Sequence, residues 1–213
     1  MKLQLALDHF NIQEATNLLK EVADVIDIVE VGTPFIIKEG LKAVEEIKTG
    51  FPHLEVLADL KIMDAGMYEA SMAYEAGADI VTVLGVSDDE TIKGVVAAAS
   101  KYNRLVMADM ICVKNLAQRA AEVENTGVDY VCVHTASDLH AKGKNPLKDL
   151  RKIKSSLKKV GIAVAGGINK AMLESILQEN PEIIIVGTGI TGQKDRRETA
   201  LAMKKMINEY RRS

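Results

Sequence analysis

The sequence predicts an α/β protein folded as a single compact (β/α)8 TIM barrel, and three observations carry that expectation. Short apolar runs alternate with longer amphipathic stretches, giving eight candidate strands in 213 residues. Aromatic residues make up 4% of the chain and Trp is absent, so the core must be built from Val, Ile, Leu, Ala and Met. That composition suits parallel strands buried under helices better than an aromatic-rich sandwich. Finally, the apolar runs end in charged residues, and the strand ends of such a barrel are where its chemistry sits.

The expected strands, in order, are LQLALD from Leu3, DIVEVG from Asp27, EVLADLK from Glu55 and DIVTVLG from Asp79. LVMADM from Leu105, YVCVHT from Tyr130, GIAVAGG from Gly161 and EIIIVGTG from Glu182 complete the set. Helical periodicity marks QEATNLLKEVAD, IKEGLKAVEEIKTG, DETIKGVVAAASKY and a closing helix that ends in ALAMKKMINEYRR. A unit of about 27 residues is a tight version of the fold. Gly77, Gly127 and Gly161 stand where a helix hands over to a strand, so each is expected as a left-handed helix cap. No linker or shift in composition divides residues 1–213, which read as one domain. The alternative is an open doubly wound sheet; eight equally apolar runs favour closure.

Charge and composition exclude some functions. With 27 basic and 30 acidic residues interspersed, the net charge is −3, and no basic block offers itself to nucleic acid or an anionic membrane. A small anion remains possible, since backbone amides and one or two lysines suffice to bind phosphate. The opening MKLQLALDHF carries no signal-peptide run, and no segment approaches the roughly 18 apolar residues of a membrane span. A cytoplasmic protein is expected. Cys112 and Cys132 sit in apolar surroundings and read as buried reduced thiols.

The strand ends carry Asp8, Glu30, Asp59, Lys61, Asp109 and His134. Alternation puts Asp59 and Lys61 on one side of their strand, facing inward with Leu57. In the first strand Gln4 and Asp8 share a side, opposite Leu3, Leu5 and Leu7. Several carboxylates converging on one barrel mouth repel one another and need a cation. Lys61 supplies one charge; the surplus suggests a divalent metal held by Glu30 and Asp59. Oxygen ligands without a His/Cys cluster argue for Mg2+. Ordinary rim salt bridges are the plainer reading of any one of these residues. Asp64 is expected either as a helix N-cap or as a second carboxylate keeping Lys61 protonated. An ammonium there argues against Schiff-base chemistry. His134 at a strand terminus suits proton transfer. His53 belongs to the opposite face, and His9 and His140 are open.

Glycines follow the last two candidate strands: Gly166-Gly167 after the seventh, Gly187-Thr188-Gly189 after the eighth. Such turns let backbone N–H groups approach an anion, at a place where barrels frequently bind phosphate. Simple tight turns are the alternative.

With MKLQLALD, DIVEVGTP, VLADLKIMDAG, ADIVTVLG, VAGGI and VGTGI on the page, the chain resembles the orotidine monophosphate decarboxylase suprafamily over nearly its whole length. ADLKIMDAG is the most specific segment, matching an Asp-x-Lys-x-x-Asp signature. Within the suprafamily it resembles the hexulose-phosphate synthase branch more than the keto-gulonate-phosphate decarboxylases. The decarboxylase pattern has an Arg at the positions of Ser137 and Thr188. The resemblance implies Mg2+ on Glu30 and Asp59, and catalytic roles for Lys61, Asp59, Asp64 and His134. It implies substrate contacts from Asp8, Asp109, Gly166, Gly167, Gly187 and Thr188. It also implies a homodimer in which Asp64 crosses to the neighbouring site. The implied reaction is a metal-dependent aldol condensation of a pentulose phosphate with formaldehyde through an enediolate. A decarboxylase, or a barrel that only binds sugar phosphate, stand as alternatives.

Overall fold

The computed structural model of the protein describes residues 1–210, without the side chains of 140–142. Eight parallel strands close into one barrel: β1 Lys2–Leu7, β2 Ile28–Val31, β3 Glu55–Ile62, β4 Ile80–Leu84, β5 Leu105–Asp109, β6 Tyr130–His134, β7 Gly161–Ala165 and β8 Ile183–Val186. Pairing of Lys2 with Ile183 and of Gln4 with Ile185 shuts it, which rules out the open sheet. The helices are α1 Ile12–Val22, α2 Thr33–Glu39, α3 Lys42–Gly50, α4 Gly66–Glu75, α5 Asp89–Tyr102, α6 Leu116–Glu124, α7 Leu147–Lys154, α8 Lys170–Leu177, α9 Thr188–Thr191 and α10 Arg196–Tyr210. No described helix is long and apolar enough to cross a membrane.

Alternation divides each strand between two apolar masses. Leu3, Leu5 and Leu7 of β1 belong to the layer between sheet and helices. Ala6, Ile28, Leu57, Ile80, Met107, Cys132, Ala163, Ile183 and Ile185 fill the barrel interior. Every interior strand position is thus a choice between filling the plug and, nearer the rim, facing the cavity above it.

Several expectations are corrected. The stretch 37–50 is not one helix: Gly40, at φ +67°, ends α2, and α3 starts afresh at Lys42. Gly77 (φ +100°) and Gly127 (φ +97°) are the left-handed helix exits expected of them, but Gly161 is not. It opens β7, where a Cβ would lie 2.6 Å from the Tyr130 ring, so glycine is needed for close approach. Cys132 is buried, whereas Cys112 is exposed in a left-handed turn (φ +63°) after β5.

Asp27 and Asp79 lie just before their strands and not within them. Asp27 Oδ2 accepts the N–H of Leu3 at 2.7 Å, Asp79 Oδ2 that of Val56 at 2.8 Å, and Asp129 Oδ2 that of Val106 at 2.8 Å. One aspartate thus clamps β1 to β2, another β3 to β4, a third β5 to β6, all at the N-terminal end of the barrel. Lys48 and Arg104 pair with Asp79, and Lys204 pairs with Asp27.

Candidate active site

The C-terminal rim encloses a cavity of about 440 Å³. Its walls include Asp8, Glu30, Asp59, Lys61, Asp109, His134, Gly166, Gly167, Gly187 and Thr188. Of the residues expected to act in catalysis, substrate binding or metal binding, Asp64 is the one outside this lining.

Lys61 reaches the cavity by a route that simple alternation does not describe. Between Ala58 and Ile62, β3 takes four steps while β4 takes two, from Val81 to Val83. Lys61 absorbs the excess at φ +49°, a backbone region costly for a side chain of its size. Its N–H, displaced from the ladder, is taken by Thr82 Oγ1 at 2.9 Å. The bulge aims Lys61 Nζ at two carboxylates, 2.7 Å from Asp59 Oδ2 and 3.0 Å from Asp109 Oδ2. Burial alone would push the ammonium down; the charges of Asp59 and Asp109 outweigh it and hold Lys61 above the usual lysine range. The second carboxylate is therefore Asp109, not Asp64.

Asp64 is exposed, one residue before the N-cap of α4, and its Oδ1 accepts the N–H of Ala65 at 2.7 Å. The N-cap itself is Ala65, at φ +50°, with no side-chain cap. The chain leaving the bulge turns outward and carries Met63, Asp64, Met67 and Tyr68 to the surface of the barrel.

Asp59 accepts from three side chains. Thr82 gives Oδ1 a hydrogen bond at 2.8 Å, and Thr33 and Lys61 reach Oδ2 at 2.8 and 2.7 Å. Thr33 and Thr82 were not singled out as site residues. A Thr in an apolar strand passes for a β-former, and only the three-dimensional register shows what its hydroxyl meets.

Asp109 is the hinge of the site. Its Oδ2 receives Lys61 and His134 Nδ1, the latter at 2.8 Å, while its Oδ1 takes the N–H of Ile111 at 2.9 Å. Burial opposes ionisation, but His134 and Lys61 prevail and hold its pKa at about 2. Being ionised, Asp109 can only accept, so His134 must donate from Nδ1. In the neutral ring the lone pair then lies on Nε2, the tautomer required of a base.

Asp8 and Glu30 are poorly compensated. Burial first and the charge of Asp59 second raise both carboxyls, Glu30 well above its ordinary range. Glu30 Oε2 accepts one hydrogen bond, from Gln4 Nε2 at 2.6 Å. Gly32 leaves room for Asp8, whose Oδ1 occupies the space of the missing side chain. Among the described residues no three His, Cys, Asp or Glu side chains form a ready-made ligand set, though Asp8, Glu30 and Asp59 all line the cavity.

The opposite wall is backbone. Gly166 (φ +113°) packs against Thr135, whose carbonyl oxygen would lie 2.5 Å from any Cβ there, and Gly167 also has positive φ. Among the described residues, no carbonyl accepts the N–H groups of Gly166, Gly167, Gly187 or Thr188. His9 lines the cavity, His53 is exposed before β3, and the side chain of His140 lies outside the described residues.

A closed parallel barrel whose rim gathers carboxylates, one ammonium, an aligned imidazole and free amides is built as an enzyme, with its reacting centre at the C-terminal end of the strands. The chain belongs to the orotidine 5'-phosphate decarboxylase / HUMPS family, whose model matches residues 1–203. A 3-hexulose-6-phosphate synthase of Bacillus subtilis (strain 168) is 55% identical over 207 residues, 97% of this chain and 99% of the relative. The 3-hexulose-6-phosphate synthase structure from Salmonella typhimurium superposes with a TM-score of 0.97 at 43% identity, covering 99% of this chain and all of that one. A 3-keto-L-gulonate-6-phosphate decarboxylase structure from Vibrio cholerae matches at 0.85 and 26%, with 98% of each chain covered. The relatives place this chain in a lyase-type family of sugar-phosphate enzymes.

Proposed function

We propose that the chain is a 3-hexulose-6-phosphate synthase that joins D-ribulose 5-phosphate to formaldehyde through an enediolate and runs in reverse as an aldehyde-lyase. The observation that carries this reading is the unbroken run Asp59–Lys61–Asp109–His134, which aligns a fixed ammonium and a base on one cavity. High identity to the Bacillus subtilis synthase supports the choice of branch. Ser137 and Thr188, both on the cavity wall, take the places where the decarboxylase pattern has arginines.

The pentulose phosphate would set its phosphate on the free amides of Gly166, Gly167, Gly187 and Thr188, with the sugar reaching toward Asp8 and Lys61. His134 Nε2 takes the proton from C1, directly or through a water, and Asp109 steadies the imidazolium that results. Lys61 stabilises the negative oxygen as it develops, without reorganisation, because its two carboxylates already fix it. The new C–C bond forms between C1 and the formaldehyde carbon, whose oxygen then takes a proton.

The donor set fits a hard divalent cation such as Mg2+. The candidate ligands are oxygen only, Glu30 has a single donor, and the amide oxygen of Gln4 is buried with no partner. Glu30 and Asp59 would hold the ion, which supplies Lewis-acid polarisation of the substrate's oxygens. The exposed row Met63, Met67, Tyr68 and Met72 around Asp64 supports a homodimer in which Asp64 approaches the neighbouring site. A cytoplasmic location accords with this chemistry. Asp59→Ala should keep the circular dichroism of the fold and lose metal-dependent condensation; full activity in that variant would sink the metal assignment.

A further inference from the structure

The floor of the cavity contains a residue that the proposed reaction does not use. Gln4, on β1, pairs in register with Ile28 and Ile185, one inward step below Ala6, which pairs with Glu30. Its register partners Ile28 and Ile185 and the other inward side chains Leu57, Ile80 and Met107 are apolar. Gln4 is fully buried, and it is the one amide among the buried polar side chains described. Its Nε2 donates to Glu30 Oε2 at 2.6 Å, while its Oε1 is buried without any donor.

A half-satisfied amide is a poor way to fill an apolar layer. The orphaned oxygen carries a desolvation cost that a Leu or Met of similar volume would not incur. The residue makes sense if a donor arrives with a ligand. Gln4 lies one inward step beneath Ala6 and Glu30, deeper in the barrel than the glycine turns that would hold a phosphate. A hard cation held by few carboxylates keeps much of its hydration shell, and its polarised waters are strong donors.

We propose that Gln4 is the positioning residue of a divalent-cation subsite: Nε2 fixes the Glu30 carboxylate, and Oε1 accepts a hydrogen bond from a water in the cation's hydration shell. This rests on the metal reading of the proposed function. It makes Gln4 part of the site through Glu30 and not a catalytic residue, and it accounts for both halves of the amide.

The test is calorimetric titration of the purified full chain with Mg2+ and with Mn2+, for wild type, Gln4→Met, Gln4→Leu and Glu30→Gln, and for Gln4→Met combined with Glu30→Gln. Two apolar replacements, one unbranched and one branched, guard against a variant that fails to fold. The expected result is cation affinity about 10–100-fold weaker in either Gln4 variant, the usual effect of removing a partner of a metal ligand. In the Glu30→Gln background the Gln4 change should add little, because the carboxylate it orients is gone. Folded Gln4 variants that bind as wild type does, while Glu30→Gln loses binding, would overturn the role of Gln4 alone. A wild type that takes up neither ion at millimolar concentration would overturn the metal reading and the role of Gln4 with it.

Discussion

The two ends of the barrel use the same residue type to opposite purposes. At the N-terminal end, Asp27, Asp79 and Asp129 each accept a backbone N–H of the preceding strand, and Asp27 and Asp79 have cations beside them. At the C-terminal end, Asp8, Glu30, Asp59 and Asp109 converge on a cavity that offers the Lys61 ammonium and the imidazoles of His134 and His9. Each member of the first set is tied to a strand N–H of its own and closes the fold. The second is undercompensated together, and burial and mutual repulsion raise the carboxyls of Asp8 and Glu30. Carboxylates at the two ends should therefore fail differently when removed.

The largest effect is expected at Lys61. Replacing it by Met leaves Asp59 and Asp109 buried without their shared cation. Turnover should fall on the order of 1,000-fold, as when a principal donor to a developing oxyanion is lost. Stability should fall by about 3–5 kcal/mol, the cost of orphaning a buried charge. Denaturant unfolding beside steady-state kinetics measures both, and a variant normal in either respect would break the contrast.

His134→Gln should cost about 100-fold in kcat with little change in unfolding free energy, since removing a base costs rate and not packing. At the other end the signs reverse. Asp79→Ala should lower stability by about 1–3 kcal/mol by freeing the Val56 N–H and stranding Lys48, while kcat at 25 °C stays within a factor of two. Lost activity at full stability there would contradict the division of labour.

The smallest effect is in acid. Asp109 sits at about 2 in the fold against an ordinary 3.8, so its contribution to stability is complete above about pH 4–5. It drains away as pH falls toward 2, where the folded carboxyl takes up its proton. Asp109→Asn should flatten that part of the stability-against-pH curve, measured by urea unfolding between pH 2 and 5; an unchanged acid limb would sharpen attention on the N-terminal clamps instead.

The eight strands and most of the cavity were legible in the sequence because both follow from periodicity. Residues alternate in and out, and the inward residues nearest the C-terminal ends line the site, so Asp8, Glu30, Asp59 and His134 could be read off directly. What alternation does not contain is pairing across strands. Proximity in the chain points Lys61 to Asp64, but its second carboxylate lies 48 residues on, at Asp109, because a bulge in β3 rotates the lysine and sends Asp64 outward. The clamps were hidden for the same reason. Asp27-Ile28-Val29, Asp79-Ile80-Val81 and Asp129-Tyr130-Val131 repeat visibly in the chain, but their targets, Leu3, Val56 and Val106, lie on the preceding strands. Thr33 and Thr82 are not legible as site residues in the chain, because a hydroxyl announces its partner only in space.

The most direct test is formaldehyde consumption by the purified protein in the presence of D-ribulose 5-phosphate and Mg2+, repeated after EDTA treatment. Consumption that EDTA abolishes and added Mg2+ restores is the result expected of a cation-assisted synthase. No consumption under any of these conditions, or CO2 release from 3-keto-L-gulonate 6-phosphate in its place, would contradict it.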